Sequence, residues 1–301
     1  MKTAQAAILA PLPPVGRYIL FTLAADATPA TLRESLARLQ PLVDGQHTLL
    51  ALGPQLVKAL GAEVPGLREF PALQGPEVEV PSSPTAMMCW LRGDEKGDLM
   101  LQARAIQKAA APALHFHRAV DGFRYKLGAS GHGHDLTGYE DGTENPEGTA
   151  AEAAALVHGQ GAGLDGGSFV AVQQWVHDMD AFDALAPQAR DHVMGRRLSD
   201  NVELDDAPPS AHVKRTAQES FSPEAFVLRR SMPWALGHKM GLMFVAFGAS
   251  LDAFEVQMRR MAGLDDGITD GLFQISKPVT GSYLWCPPMH KGQPDLQQLG
   301  L

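Results

Sequence analysis

Cysteine is nearly absent from this chain of 301 residues: Cys89 and Cys286 are the only two, and they lie far apart. Two distant thiols supply neither a CxxC zinc pattern nor a four-cysteine iron–sulfur set, and free buried thiols are expected rather than a disulfide. Long apolar runs are missing as well. No stretch of 18 apolar residues occurs, and Pro11, Pro13 and Pro14 interrupt the N-terminus before a leader-type apolar region develops. A cytoplasmic protein with neither membrane span nor secretory leader is therefore expected. Positive charge is in deficit, with 25 Lys and Arg against 34 Asp and Glu and a formal net charge of −9. That balance argues against a broad grip on nucleic acid or anionic membrane, and it leaves room for a local basic pocket. With 45% hydrophobic and 20% charged residues, the chain can bury a large core in one or two domains.

What is present looks duplicated. Residues 17–23 (RYILFTL) read as a buried strand. A helix follows, with Thr28 as N-cap, Pro29 in its first turn, and Leu32, Leu36 and Leu39 on one face. Residues 168–176 (SFVAVQQWV) repeat the strand, and a helix capped by Asp178 or Asp180 places Phe182, Leu185 and Ala189 together. The second repeat pairs a strand at 86–91 and a helix from about Asp98 (Leu99, Ala103, Ile106) with a strand at 242–247 and a helix from Ser250 (Phe254, Met258, Met261), stopped by Gly263. Closing strands are expected at 122–127 and 281–286. Strand–helix–strand units in this arrangement predict an α+β fold of two ferredoxin-like (βαββαβ) halves with antiparallel sheets, divided as 1–150 and 151–301.

Two stretches resist this pattern: the glycine-rich 128–167 and the irregular 198–222. Long irregular segments in a compact chain often carry function. The first contains Asp141 followed by Gly142, a carboxylate on a tight turn that could move protons; a plain Asx-turn is the alternative. The second contains His212, and seventeen residues later Arg229 and Arg230 end an apolar stretch, where an inward-facing arginine needs an anionic partner. His132 and His134 read as loop residues rather than metal ligands, and His115 and His117 receive no role.

In combination these segments resemble the dye-decolorising peroxidases, most closely their cytoplasmic bacterial B-type members. Gly138-Tyr-Glu-Asp141-Gly142-Thr143, with Asn145-Pro146, is similar to that family's GxxDG signature. Ala211-His212-Val213-Lys214-Arg215 resembles its haem-ligating segment, and Leu228-Arg229-Arg230-Ser231-Met232-Pro233 its distal-arginine segment. Asp270-Gly-Leu-Phe, with Pro278-Val-Thr-Gly281, resembles the closing segment. Ser231 stands where some members carry asparagine.

The resemblance implies one haem b per chain in the C-terminal half, with the 128–167 loop over one face. His212 would ligate the iron, and Asp270 would accept its other ring N–H, with Asp265 and Asp266 as rivals. Gly142, Thr143, Glu144 and Arg229 would also contact the cofactor. Asp141 would move the peroxide proton as acid and base, while Arg229 would stabilise developing charge and keep the Asp141 pKa low. The implied reaction reduces hydrogen peroxide through a ferryl intermediate and oxidises dyes, phenolics or similar aromatic reductants. Electrons could leave through Trp90, Trp175, Trp234, Trp285, Tyr125 or Tyr139, each of which also reads as a packing residue. A homo-oligomer is implied, and a role for the C-terminal tail as nanocompartment cargo peptide is a further option beside its folding back on the chain. The rivals are a cytosolic haem- or porphyrin-handling protein and a non-catalytic binder on the same scaffold.

Overall fold

The computed structural model describes residues 3–128 and 131–301. Met1 and Lys2, part of the N-terminal reading above, and Ala129 and Ser130, part of the 128–167 loop, lie outside the described residues.

Eight strands carry the architecture: β1 (Val15–Leu23), β2 (Thr48–Leu52), β3 (Met87–Gly93), β4 (Leu114–Phe123), β5 (Ser168–His177), β6 (Met232–Leu236), β7 (Lys239–Gly248) and β8 (Ser282–Cys286). The first four pair antiparallel in the order β4-β1-β3-β2, and the last four in the matching order β8-β5-β7-β6. Single residue pairs, Leu52 with Trp285 and Gly122 with Trp234, join the two sheets at both edges and close the eight strands into a ring. Side chains alternate along each strand. Tyr18, Leu20, Met88, Trp90, Val170, Val172, Met243 and Val245 pack together inside the ring. The intervening Ile19, Phe21, Cys89, Leu91, Ala171 and Ala246 face outward, against the helices. Burial on both faces is why 17–23 reads as a continuous apolar run rather than an alternating one.

The outer layer of the first half holds α1 (Pro29–Leu39) and α2 (Lys96–Ala110). Thr28 and Thr31 form a reciprocal cap at the start of α1. The second half carries α3 (Gly148–Ala155), α4 (Met179–Ala184), α5 (Pro187–Met194), the single turn α6 (His212–Arg215) and α7 (Asp252–Met261). Both thiols are free and buried, and burial pushes Cys89 up to about 12. Near the C-terminus, Leu296 and Leu299 are buried in the chain's own core. No helix among the described residues is long and apolar enough to cross a membrane.

Several sequence expectations shift. The closing strand of the first half spans Leu114–Phe123 rather than 122–127, because it pairs along all of β1, from Leu23 opposite Leu114 to Val15 opposite Phe123. Its His115, Phe116 and His117 are exposed, so its pattern is polar and its strand character was concealed. The single helix expected after β5 is two. Asp178 caps the first, Leu185 leaves it in an extended conformation, and Pro187 starts the second, which puts Ala189 on a different helix from Phe182. Helix α2 begins at Lys96, and the glycine-rich stretch contains α3.

Candidate active site

The register of β5 against β7 puts Gln173 opposite Phe244 and Trp175 opposite Leu242, all on the outer face of the ring. Helix α7 lies over that face with Phe254, Met258 and Met261, one helical stripe at spacings of four and three. These side chains line an apolar cavity of about 870 Å³, counted out to its mouth. A second cavity of about 770 Å³, more polar and lined by Arg196, Glu203 and Gln218, adjoins it. The two share Asp141, His212 and Arg229. The structure thus brings three residues from distant segments, on an irregular loop, a one-turn helix and a two-residue strand at Leu228–Arg229, around one space.

His212 opens α6, and its Nδ1 donates to Asp270 Oδ2 at 2.8 Å. The Asp270 side chain is 0% exposed, so this is a dry, directional bond. Its Oδ1 accepts the Leu272 backbone N–H at 2.8 Å, which caps the 3₁₀ turn Gly271–Gln274 and fixes the carboxylate from behind. A further backbone bond, from the Gly271 N–H to the Ser210 carbonyl at 2.7 Å, ties the aspartate segment to the histidine segment. With Nδ1 engaged, Nε2 is the ring nitrogen left to bind a metal. The rival acceptors are occupied elsewhere. Asp266 takes both terminal nitrogens of Arg215 at 2.7 Å, which holds its carboxyl down at about 2, and Asp265 lies 3.5 Å from Arg259.

On the loop, the Asp141 N–H donates to the Gly133 carbonyl at 2.8 Å. Gly142, at φ +89°, takes a backbone conformation that a side chain would strain. Three residues further on, Asn145 clamps the arginine strand: its Oδ1 accepts the Arg229 N–H at 2.8 Å and its Nδ2 donates to the Arg229 carbonyl at 3.0 Å. One short loop therefore carries the carboxylate and also fixes the backbone of the guanidinium.

The electrostatics overturn one expectation. Arg229 does draw the Asp141 carboxyl down, but burial pushes it up more strongly and Asp135 adds to that push. The net shift is upward. The ionised form is thus disfavoured in the folded protein above the ordinary carboxylate range, whereas below that range both states are protonated and the penalty vanishes. Asp141→Asn should therefore raise the unfolding midpoint at neutral pH, with the gain fading as pH falls toward the ordinary carboxylate range. Thermal unfolding of both proteins across pH, in the same cofactor state, checks this; a gain that grows in acid would contradict it.

Gly142, Thr143 and Glu144 border the second cavity, where the exposed Glu144 carboxylate is held by Arg196 and its carbonyl accepts from Gln218 Nε2 at 2.8 Å. Ser231 is buried, and its Oγ accepts the Val245 N–H at 3.3 Å. Of the aromatic candidates, Trp175 and Tyr139 reach the first cavity. Trp90 lies inside the ring, stacked on Tyr18. Sequence reasoning missed a second polar chain on the cavity wall: Ser276 Oγ meets His177 Nδ1 at 2.7 Å, and His177 Nε2 meets Asp135 Oδ1 at 3.0 Å. Burial pushes the Asp135 carboxyl up, but bonds from His177 and Thr137 outweigh it and hold the group below its usual range. The only early signal was that β5 ends at His177 with its outward alternation intact.

Comparison with known proteins then decides the family. The model of the family described as Dyp-type peroxidase, C-terminal, matches residues 132–291. A dye-decolorizing peroxidase of Mycolicibacterium paratuberculosis is 30% identical over 297 residues, covering 93% of this chain and 82% of its own length. The chain belongs to the dye-decolorising peroxidases. Its fold agrees with theirs: a dye-decolorizing protein from Vibrio cholerae superposes with a TM-score of 0.82 at 27% identity, covering 98% of both chains. A variant of the Rhodococcus jostii DypB, solved in complex with heme, superposes with a TM-score of 0.82 at 26% identity, covering 93% of this chain and 95% of its own. Every segment of this peroxidase-family chain described above, from Asp135 to Ser276, falls inside the matched region.

Proposed function

We propose that this peroxidase takes one haem b per chain, with His212 as the residue that would hold its iron, and that it reduces hydrogen peroxide at the expense of dyes, phenolics or similar one-electron donors. The observation that carries the reading is the His212–Asp270 pair, which directs a fixed imidazole at a space that Asp141 and Arg229 also face. The residues fit the group. The apolar cavity suits a macrocycle, and Nε2 is the nitrogen available for iron. Bound haem would supply an iron that accepts peroxide oxygen and two oxidising equivalents.

The protein's own groups would do the rest. Asp270 would hold His212 in one tautomer and increase its donation to the metal. Asp141 would take the proton from one peroxide oxygen and return it to the other; its raised pKa brings it closer to the working range of a general acid–base group. Arg229 would stabilise the negative charge that grows on the departing oxygen. We assign the division of labour as 1–150, carrying the acid–base loop, and 151–301, carrying His212, Arg229 and Asp270. The homo-oligomer rests on the family resemblance. A cargo role for the tail would require Leu296 and Leu299 to leave the core they are buried in.

Haem-loaded protein mixed with one equivalent of peroxide should shift its Soret band within the mixing time and return to rest on addition of a phenol. Haem uptake without any peroxide response would favour the porphyrin-handling rival, and failure to take up haem would overturn both.

A further inference from the structure

A third cavity lies on the other side of the Asp141–Arg229 wall and plays no part in the reading above. It measures about 1060 Å³ counted out to its mouth. Its apolar lining comes from Leu9 and Leu12 of the N-terminal segment and from Leu127. Its cations are Arg124, which is exposed, Arg229, and Arg230, which is partly buried. Asp141, Glu147 and His132 complete its titratable lining.

The arginines stand out because none of them is held in an ion pair, although Arg229 acts on Asp141 from a distance. Among the described residues, no carboxylate approaches Arg124, Arg229 or Arg230 within the 4.0 Å of an ion pair, although this acidic chain forms such pairs at Arg17, Arg68, Arg196, Arg197 and Arg215. Arg230 is the sharpest case. Its terminal nitrogens donate to two neutral carbonyls, Arg229 O at 3.2 Å and Leu9 O at 2.9 Å, and its Nε is buried with no partner. Burial, and then the like charge of Arg92, pull its pKa down to about 10, so it still carries its proton at neutral pH. A partly buried cation satisfied only by carbonyls, in a protein of net charge −9, is costly unless an anion joins it.

We propose that this cavity is a binding site for a small aromatic carboxylate, its anionic end among Arg124, Arg229 and Arg230 and its ring on Leu9, Leu12 and Leu127. The combination selects the ligand class. Three guanidiniums demand an anion and favour a planar carboxylate geometry, while the leucine wall rewards an apolar body that phosphate or chloride lacks. Because Arg229 forms part of the wall, such a ligand sits next to the group assigned to the peroxide step. The site would admit an anionic reductant while excluding cationic ones.

The test is calorimetric titration of haem-loaded protein with benzoate, with the Soret band followed in parallel. Benzoate should bind saturably at millimolar or lower concentration without displacing that band, which separates this site from the iron. Benzamide, the neutral isostere, should bind at least about tenfold more weakly, the scale of one lost charge-assisted hydrogen bond. Arg124→Gln, at an exposed position, should weaken benzoate about tenfold and leave the far-ultraviolet circular dichroism unchanged; Arg230→Gln should weaken it further. Equal binding of benzoate and benzamide, affinity unchanged in both variants, or inorganic phosphate binding as tightly as benzoate would each overturn the proposal. No binding to the loaded protein would also overturn it, as when haem propionates already occupy these arginines. None of these readouts depends on turnover, so they stand apart from the peroxidase test.

Discussion

Replacing Arg229 with leucine should slow the reaction with peroxide by about 100- to 1000-fold, the range found when one preorganised charge-stabilising donor is removed from an active site. The substitution is clean in structural terms. Asn145 grips the backbone N–H and carbonyl of residue 229, not its side chain, so leucine keeps the clamp and loses only the guanidinium. No other residue replaces that charge readily, because Arg230 lines neither of the two cavities that Arg229 shares with His212. Asp141→Asn should cost less, since water in the adjoining cavity can carry part of a proton transfer whereas it cannot supply a fixed positive charge. A second signature follows from the electrostatics. Arg229 is the strongest downward influence on the Asp141 carboxyl, so its loss should move the acid limb of the rate–pH profile to higher pH. Rapid-mixing rates for both variants across pH check both statements. A larger loss in the aspartate variant would reverse the assignment of roles.

The second large effect concerns His212. Alanine at this position should leave the protein unable to retain haem through gel filtration, because the loss removes the proposed iron ligand and also strips the fully buried Asp270 carboxylate of its side-chain partner. An uncompensated buried charge can by itself cost about 3–5 kcal/mol, so a folding defect could imitate loss of the ligand. Two controls separate these causes. Imidazole added to the alanine variant should restore haem retention if the cavity is intact. Asp270→Asn, which keeps the Leu272 cap possible through its amide oxygen, should bind haem but about 10- to 100-fold more weakly, the usual effect of removing an outer-shell partner. Full haem retention in His212→Ala without imidazole would show that another side chain holds the iron.

How much of this was legible in the sequence depends on where each residue sits. Strands buried on both faces, such as β1 with Tyr18, Ile19, Leu20 and Phe21, announce themselves as apolar runs, and their duplicated order gave the fold class. Strand β4 did not, because its His115, Phe116 and His117 face solvent and dilute the pattern. Asp141, His212 and Arg229 were found through short motifs, and the structure brings them to one space. The choice among Asp270, Asp265 and Asp266 could not come from spacing; it is made by the Ser210–Gly271 backbone bond, which joins residues 61 positions apart. The Asn145 clamp is likewise a long-range contact. The pKa of Asp141 came out with the wrong sign because a sequence shows the nearby arginine and not the dry walls around the carboxylate. His177, an unremarkable histidine at a strand end, acquires its partners Asp135 and Ser276 only through the fold.

The most direct test of the account is the iron–histidine stretching band in the resonance Raman spectrum of the reduced, haem-loaded protein, compared between wild type and Asp270→Asn. The His212–Asp270 bond predicts a high frequency in wild type, typical of a histidine made strongly donating by a carboxylate, and a clear fall in the variant while the haem stays bound. The same frequency in both proteins, or no iron–histidine band in wild type, would mean that this pair does not hold the iron.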